Sequence, residues 1–235
     1  MKQSRRNCLK LSTGAGIGFP ALLRSLILPA LILAALAPLS ARLAPSPLFG
    51  DHMVLQRGMP VPVWGTAEAG DDVTVAFAGH EVATTAGADG RWQVKLPSLE
   101  ASHQGRALRI KGSGERMEFR DVLVGEVWLC AGQSNMQYGW GKESLPMFNW
   151  GAGDDTLRKL AEKARSRPIR AYHVPVNIAY EPTRATAGEW TTDLPGSAVA
   201  MGFSYYLEQA LDVPVAAIVS CWGSSSIEGW MPIEL

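Results

Sequence analysis

Val122-Leu123-Val124-Gly125-Glu126-Val127-Trp128-Leu129-Cys130 runs directly into Ala131-Gly132-Gln133-Ser134-Asn135-Met136. The first nine residues have the β-branched and aromatic content of a buried strand. Gly132 breaks it. A serine on a tight strand-to-helix turn carries its hydroxyl at the carboxyl edge of a sheet, where open α/β sheets place their ligands. The helix start that follows offers backbone N–H groups able to stabilise an oxyanion. Two readings of Ser134 stand on this stretch alone, a nucleophile or an ordinary turn residue.

Working outward, the carboxyl-terminal half alternates strands and helices. Residues 154 to 165 carry Leu157, Leu160, Ala161 and Ala164 on one side of a helix, which Pro168 ends. Residues 169 to 174 read as a strand. Glu189 and Trp190 open a loop rich in Thr, Pro and Gly. Residues 200 to 211 read as a helix with an inward stripe of Phe203, Tyr206, Leu207 and Ala210. Residues 213 to 219 form a continuous apolar run, as in a buried parallel strand. This alternation predicts a doubly wound α/β sheet over residues 122–235.

The preceding stretch, 45–121, has a different pattern. Residues 61 to 66, 72 to 77, 91 to 96 and 107 to 111 alternate apolar and polar positions. Gly79-His80, Ala88-Asp89-Gly90 and Gly112-Ser113-Gly114 supply turns between them. Short strands at this spacing predict a β-sandwich. His52, His80 and His103 fall in this stretch and read as solvated or turn histidines.

Residues 1–44 are set aside as a targeting segment. Ser4-Arg5-Arg6-Asn7-Cys8-Leu9-Lys10 resembles the twin-arginine export motif S-R-R-x-F-L-K, with Cys8 in the phenylalanine place. An apolar run from Leu26 to Ala37 follows, and Arg24 interrupts the apolar region. Export to the periplasm or exterior is expected, with cleavage near Leu39-Ser40-Ala41. An uncleaved membrane anchor is the alternative, and the mature form is expected to have no stable membrane span. Export leaves Cys130 and Cys221 where a disulfide is permitted, but small buried thiols are also common in cores.

Composition narrows the function without naming it. The chain has 235 residues, 47% hydrophobic and 19% charged, enough for one or two domains with real cores. Its 22 Lys and Arg balance 22 Asp and Glu, which argues against nucleic acid or an anionic membrane as the main partner. No C-x-x-C or histidine cluster points to a metal, and no cofactor is implied. The eight tryptophans read as core packing or, near a site, as sugar-stacking faces.

Gly132-Gln133-Ser134-Asn135-Met136 resembles the first block of the sialate O-acetylesterase family, within the SGNH-type hydrolases. Trp222-Gly223-Ser224-Ser225-Ser226-Ile227-Glu228-Gly229-Trp230-Met231 is similar to that family's W-G-G-T-x-I-E-A-W-M block. Pro47-Leu48-Phe49-Gly50-Asp51-His52-Met53-Val54-Leu55-Gln56-Arg57 resembles its opening strand, so the resemblance runs from about residue 45 to 235. It implies a flavodoxin-like sheet and a carbohydrate O-acetylesterase acting on acetylated sugars. It also implies that Ser134 attacks the acetyl carbonyl while the N–H groups of Ser134 and Gly223 hold the oxyanion. Gln133, Asn135, Trp222, Ser224 and Glu228 then line the site. Gln133 and Asn135 brace the turn, and Glu228 serves as an orienting or structural carboxylate. Ser224 stands where the family has a second glycine, a change a backbone donor tolerates only at negative φ.

The match departs from the family further on. A serine needs a base, which the family draws from a D-x-x-H block near its carboxyl end. No such block follows Ser134. The only later histidine is His173, three places after Arg170, and it reads as a mid-strand residue. The family's Q-G-E block is also missing. The sequence therefore reads as the first part of a longer esterase whose sheet is incomplete, inactive without the Asp and His. The alternatives are an acetylesterase on plant polysaccharides such as acetylated xylan, and a non-catalytic sugar-binding module.

Overall fold

The computed structural model describes residues 42–140, 155–177 and 187–231. The export motif, the apolar run after it and the expected cleavage point lie outside the described residues. In chain order the strands are β1 (Ala44–Pro45), β2 (Val54–Gln56), β3 (Val61–Thr66), β4 (Asp72–Phe77), β5 (His80–Thr85), β6 (Arg91–Leu96), β7 (Ser102–Gly112) and β8 (Glu115–Gly132). Helices α1 (Ser134–Gln137) and α2 (Asp155–Ala164), strands β9 (Ile169–His173) and β10 (Glu189–Thr191), helix α3 (Ala198–Leu211) and strand β11 (Val215–Cys221) follow. A 3₁₀ turn, Ile227–Trp230, closes the series.

Period-two alternation builds the first part. In β3 the side chains of Val61 and Val63 turn inward, and in β6 those of Trp92, Val94 and Leu96 do. The two strands pair antiparallel with Val63 opposite Val94, and β1 extends them to a three-stranded sheet. From the second sheet Val73, Val75 and Phe77 of β4, with Leu108 and Ile110 of β7, reach the same core. Each fully buried Val or Leu contributes about 1.5–3 kcal/mol relative to exposure.

Strand β8 is 18 residues long and works in two settings. Its first half lies antiparallel to β7, up to the pair Ser102–Val124. Its second half, from Glu126, lies parallel to β11. Asp121, inside the antiparallel half, has φ +53°, and the pairing with β7 shifts register around it, where the sequence divides 45–121 from 122–235. The hydrogen-bonded strand is not interrupted there, and residues 41–235 form one compact unit. The opening segment clasps this strand. β2 pairs parallel to residues 123–125, Arg57 bonds Glu126 at 2.8 Å, and Gln56 Oε1 accepts from Val127 N–H at 2.9 Å.

The eight-stranded mixed sheet runs β10-β9-β11-β8-β7-β4-β5, with β2 alongside β8. Parallel β9, β11 and β8 with their helices give the α/β class expected. The order places β11 between β9 and β8. Helices α2 and α3 pack on each other and on Ile169, while Ala200 of α3 meets Ala217 and Val219 of β11. Among the described residues both helices thus cover one face of the parallel strands. The opposite face meets the opening segment: Ala216 packs with Val54 and Leu123, and Tyr172 donates to the Pro47 carbonyl at 3.2 Å. No helix among the described residues is long and apolar enough to cross a membrane.

Two local expectations need correction. Glu189 and Trp190 belong to a strand, because β10 pairs antiparallel with β9 and Trp190 Nε1 donates to the Leu48 carbonyl. Helix α3 turns a different face inward. Its buried positions include Met201, Ser204, Tyr205 and Glu208, whereas Phe203, Tyr206 and Ala210 are exposed. The helix is apolar nearly all round, so periodicity does not set its rotation. Its anchors do: Ser197 Oγ caps Ala200 N–H, and the buried Glu208 carboxylate holds Arg167 Nε at 2.5 Å. Phe203 instead meets Trp128 edge to face at 5.3 Å.

Candidate active site

The parallel strands deliver three chain segments to one edge. Gly132 pairs with Cys221, and Val219 pairs with both Cys130 and His173. β8, β11 and β9 therefore end within two residues of the same level. The Trp222 N–H donates to the Gly132 carbonyl at 3.1 Å, which joins the two sequence blocks directly.

Gly132 has φ +153°, outside the usual range of residues with side chains, and the chain turns sharply there. Gln133 follows, and Gln137 N–H bonds the Gln133 carbonyl at 2.9 Å to close the single turn of α1. Ser134 is the first residue of that turn and is half-buried. Its Oγ donates to Gln133 Oε1 at 3.1 Å. Gln133 thus engages the hydroxyl of Ser134. Asn135 is exposed beside it.

Gly223 lies across from this turn. Its N–H donates to Gln137 Oε1 at 2.6 Å. This contact was not foreseen. The available clue was spacing, since Gln137 lies three residues after Ser134 and shares its side of a helical turn. Ser224 has φ +65°, in the left-handed region, contrary to the negative φ its side chain would prefer. The next turn is tied by hydroxyls: Ser225 Oγ donates to the Trp222 carbonyl at 2.7 Å and accepts from Trp230 Nε1 at 2.8 Å. Glu228 is exposed, and its own backbone N–H, then the Ser226 side chain, hold its carboxyl below the usual range. Trp222 shows an open indole face at the same edge.

None of the four histidines is bonded to Ser134. His173 ends β9 and is not mid-strand as its neighbours suggested. Its Nε2 accepts from the Gly196 N–H at 3.1 Å, which puts the neutral ring's proton on Nδ1. Burial, partly opposed by the Asp193 charge, lowers its pKa. A neutral ring already accepting at Nε2 is a support for the segment leading into α3. His52 bonds Asp121 Oδ2 at 2.8 Å near the start of the parallel half of β8, the end away from Ser134.

Cys130 and Cys221 are free thiols packed in one cluster under Met136. They sit on adjacent strands two residues out of register, which separates their Cα atoms by about 8 Å from strand geometry. That exceeds the reach of a disulfide. Burial raises both pKa values, that of Cys221 to about 11. The fold also gathers a group invisible in the sequence: ligand atoms of His103, Glu208 and Asp212 lie within 4.8 Å of one another. Glu208 is already paired with Arg167 there. A cleft of about 790 Å³, lined in part by His173, Trp140, Trp190, Arg165, Glu189 and Asp193, lies at the end of β9 and along β10.

No protein-family model matches the chain. It is 29% identical to the sialate O-acetylesterase of Rattus norvegicus over 203 residues, 77% of this chain and 36% of that protein. The human sialate O-acetylesterase is 28% identical over 204 residues, 77% of this chain and 37% of its own length. The crystal structure of a carbohydrate acetylesterase from Xanthomonas citri superposes with a TM-score of 0.67 at 32% identity, covering 81% of this chain and 43% of that one. The chain thus spans well under half the length of these relatives. The resemblance read from the two blocks is borne out: this sequence is similar to sialate O-acetylesterases, and its fold to a carbohydrate acetylesterase.

Proposed function

We propose that this chain carries the nucleophile and oxyanion part of a carbohydrate O-acetylesterase of the sialate O-acetylesterase type, on an SGNH-type layer preceded by a β-sandwich domain. The observation that carries the reading is the junction of the two blocks. Ser134 and Gly223 stand at the carboxyl ends of neighbouring parallel strands, joined through Trp222 N–H and the Gly132 carbonyl. This placement supports the reading, since an acyl transfer needs its nucleophile and oxyanion donor on one edge.

In the proposed reaction Ser134 Oγ bonds to the acetyl carbonyl carbon, and its proton passes to a base. The carbonyl oxygen takes the negative charge against the N–H groups of Ser134 and Gly223. The C–O bond to the sugar then breaks, the sugar oxygen takes up the proton, and an acetyl-serine remains. Water adds to that ester, again giving up a proton to the base, and releases acetate and free Ser134. Trp222, exposed at the same edge, supplies an aromatic surface against which a sugar ring packs. We assign the base to a D-x-x-H block of the kind the resemblance implies, because each histidine of this sequence is either engaged elsewhere or remote from Ser134. Residues 1–44 are proposed to export the protein by the twin-arginine route.

The test joins this chain to a carboxyl-terminal segment bearing a D-x-x-H block and follows acetate release from an O-acetylated sugar. Turnover about 10² to 10⁴ above that of the chain alone, lost in Ser134→Ala, is expected. Turnover that survives Ser134→Ala overturns the assignment, as does robust turnover by the chain alone that His173→Ala removes. The exposed Trp222 at the same edge fits one second reading, a sugar-binding module. Glycan binding with no turnover in the joined protein selects it.

A further inference from the structure

Both groups that the proposed acyl transfer requires are engaged by glutamine carbonyl oxygens in this structure. Ser134 Oγ donates to Gln133 Oε1 at 3.1 Å, and Gly223 N–H donates to Gln137 Oε1 at 2.6 Å. The second contact is shorter than the usual N–H···O distance of about 2.9–3.0 Å. A glutamine Oε1 and the carbonyl oxygen of an ester are the same kind of acceptor, a trigonal oxygen on carbon. Gln137 is also one helical turn from Ser134, so its side chain leaves α1 on the nucleophile's side.

Resting on the esterase reading, we propose that Gln137 gates the oxyanion position: its carboxamide oxygen fills the place of the substrate's carbonyl oxygen and withdraws when an acyl group enters. Without Gln137 the half-buried Gly223 N–H would lack an acceptor, a costly state for a backbone donor. The side chain therefore satisfies the empty site, and it can be exchanged because it is half-buried on a single isolated helical turn. Exchange of one acceptor for another leaves the hydrogen-bond count unchanged. A ligand gains only if its carbonyl also reaches Ser134. The gate thus favours small acyl groups seated between the two blocks and weakens non-specific capture of other acceptors.

The experiment uses the ¹⁵N-labelled chain and acetamide, a neutral, unreactive acyl probe. Gln137→Met keeps the length of the side chain and removes the oxygen. Gln137→Glu keeps an oxygen and makes the acceptor anionic at neutral pH. In Gln137→Met the Gly223 amide should exchange its proton about tenfold faster, and acetamide should bind about three- to tenfold more tightly. In Gln137→Glu the charged acceptor holds the N–H more firmly. Acetamide should then bind more weakly at pH 7 and recover as the pH falls through the ordinary glutamate range near about 4.3. In the joined, active protein Gln137→Met should lower KM by a larger factor than it changes kcat.

An unchanged Gly223 amide in Gln137→Met overturns the gate. So does an amide that responds while acetamide binding does not tighten, since Gln137 is then only a support. Acetamide that perturbs no resonance near Ser134 in any variant overturns it as well. Failure of the esterase reading appears separately, as acetate release that survives Ser134→Ala. A pH-dependent return of binding in Gln137→Glu is a readout that a merely structural glutamine would not produce.

Discussion

Gly125→Ala tests whether the close approach of β8 and β11 holds the two halves of the site together. A Cβ at Gly125 would lie 1.9 Å from the Pro214 carbonyl oxygen and 2.7 Å from its carbon. An ordinary carbon–oxygen contact needs about 3.3 Å, so the strands must part by about 1.4 Å. Both obstructing atoms are backbone, and no rotamer change relieves them. The same carbonyl accepts the Glu126 N–H at 2.9 Å, and that bond is lost when the strands separate. Overpacking costs about 1–3 kcal/mol and the hydrogen bond about 1, for a total of about 2–4 kcal/mol. With a urea slope of about 2 kcal/mol per molar, the unfolding midpoint should fall by about 1–2 M. The assay is urea unfolding followed by tryptophan fluorescence and far-ultraviolet circular dichroism. Gly229→Ala, where an added Cβ meets nothing within 4 Å, is the control and should move the midpoint little. A Gly125→Ala midpoint within about 0.3 M of the parent protein would refute the argument. The consequence reaches the site, because β8 leads into the turn of Ser134 and β11 leads into Gly223.

Ser224→Gly should raise stability by about 0.5–1 kcal/mol, the relief of a left-handed conformation less the entropy of glycine, read from the same urea curves. Arg167→Met leaves the buried Glu208 carboxylate without its cation and should lower the midpoint by clearly more than Arg158→Met, whose partners Asp155 and Glu162 are exposed. In a Cys8→Ser protein, Cys130 and Cys221 should react with a thiol-specific disulfide reagent at pH 8 only after urea is added, since at a pKa of about 11 roughly a thousandth of Cys221 is thiolate. Glu228 has its folded pKa depressed, so the ionised form stabilises the turn above the unfolded pKa. That stabilisation should fade as pH falls through the folded value, below 4.5, with a fluorescence change from Trp230 that Glu228→Gln abolishes.

Much of the local structure was legible because local signals agreed with one another. The alternation at 61 to 66, 72 to 77 and 91 to 96 matches β3, β4 and β6 residue for residue, since one face of each strand is buried. Leu157, Leu160, Ala161 and Ala164 form the packed side of α2 because charged residues mark its other side. Ser134 at a strand-to-helix turn and Gly223 after a buried strand were likewise readable, since each depends on a few adjacent residues.

Other features depended on which distant segments meet. Helix α3 has apolar residues on nearly every side, so its amphipathic signal is weak. Ser197 and the Glu208–Arg167 pair decide that Met201 and Tyr205 face inward while Phe203 and Tyr206 do not. His173 looked like an interior strand residue until the Gly196 N–H, 23 residues away in the chain, claimed its Nε2. The two cysteines each close an apolar strand, yet a two-residue offset in register keeps them apart. By itself the sequence determined the kinds of element and the blocks that bear chemistry, because strand period, helix period and turn residues act over a few positions. Only the tertiary structure decided strand order, helix rotation and the partner of the Gly223 N–H. Hydrogen bonds and close packing between remote segments leave no periodic trace in the chain.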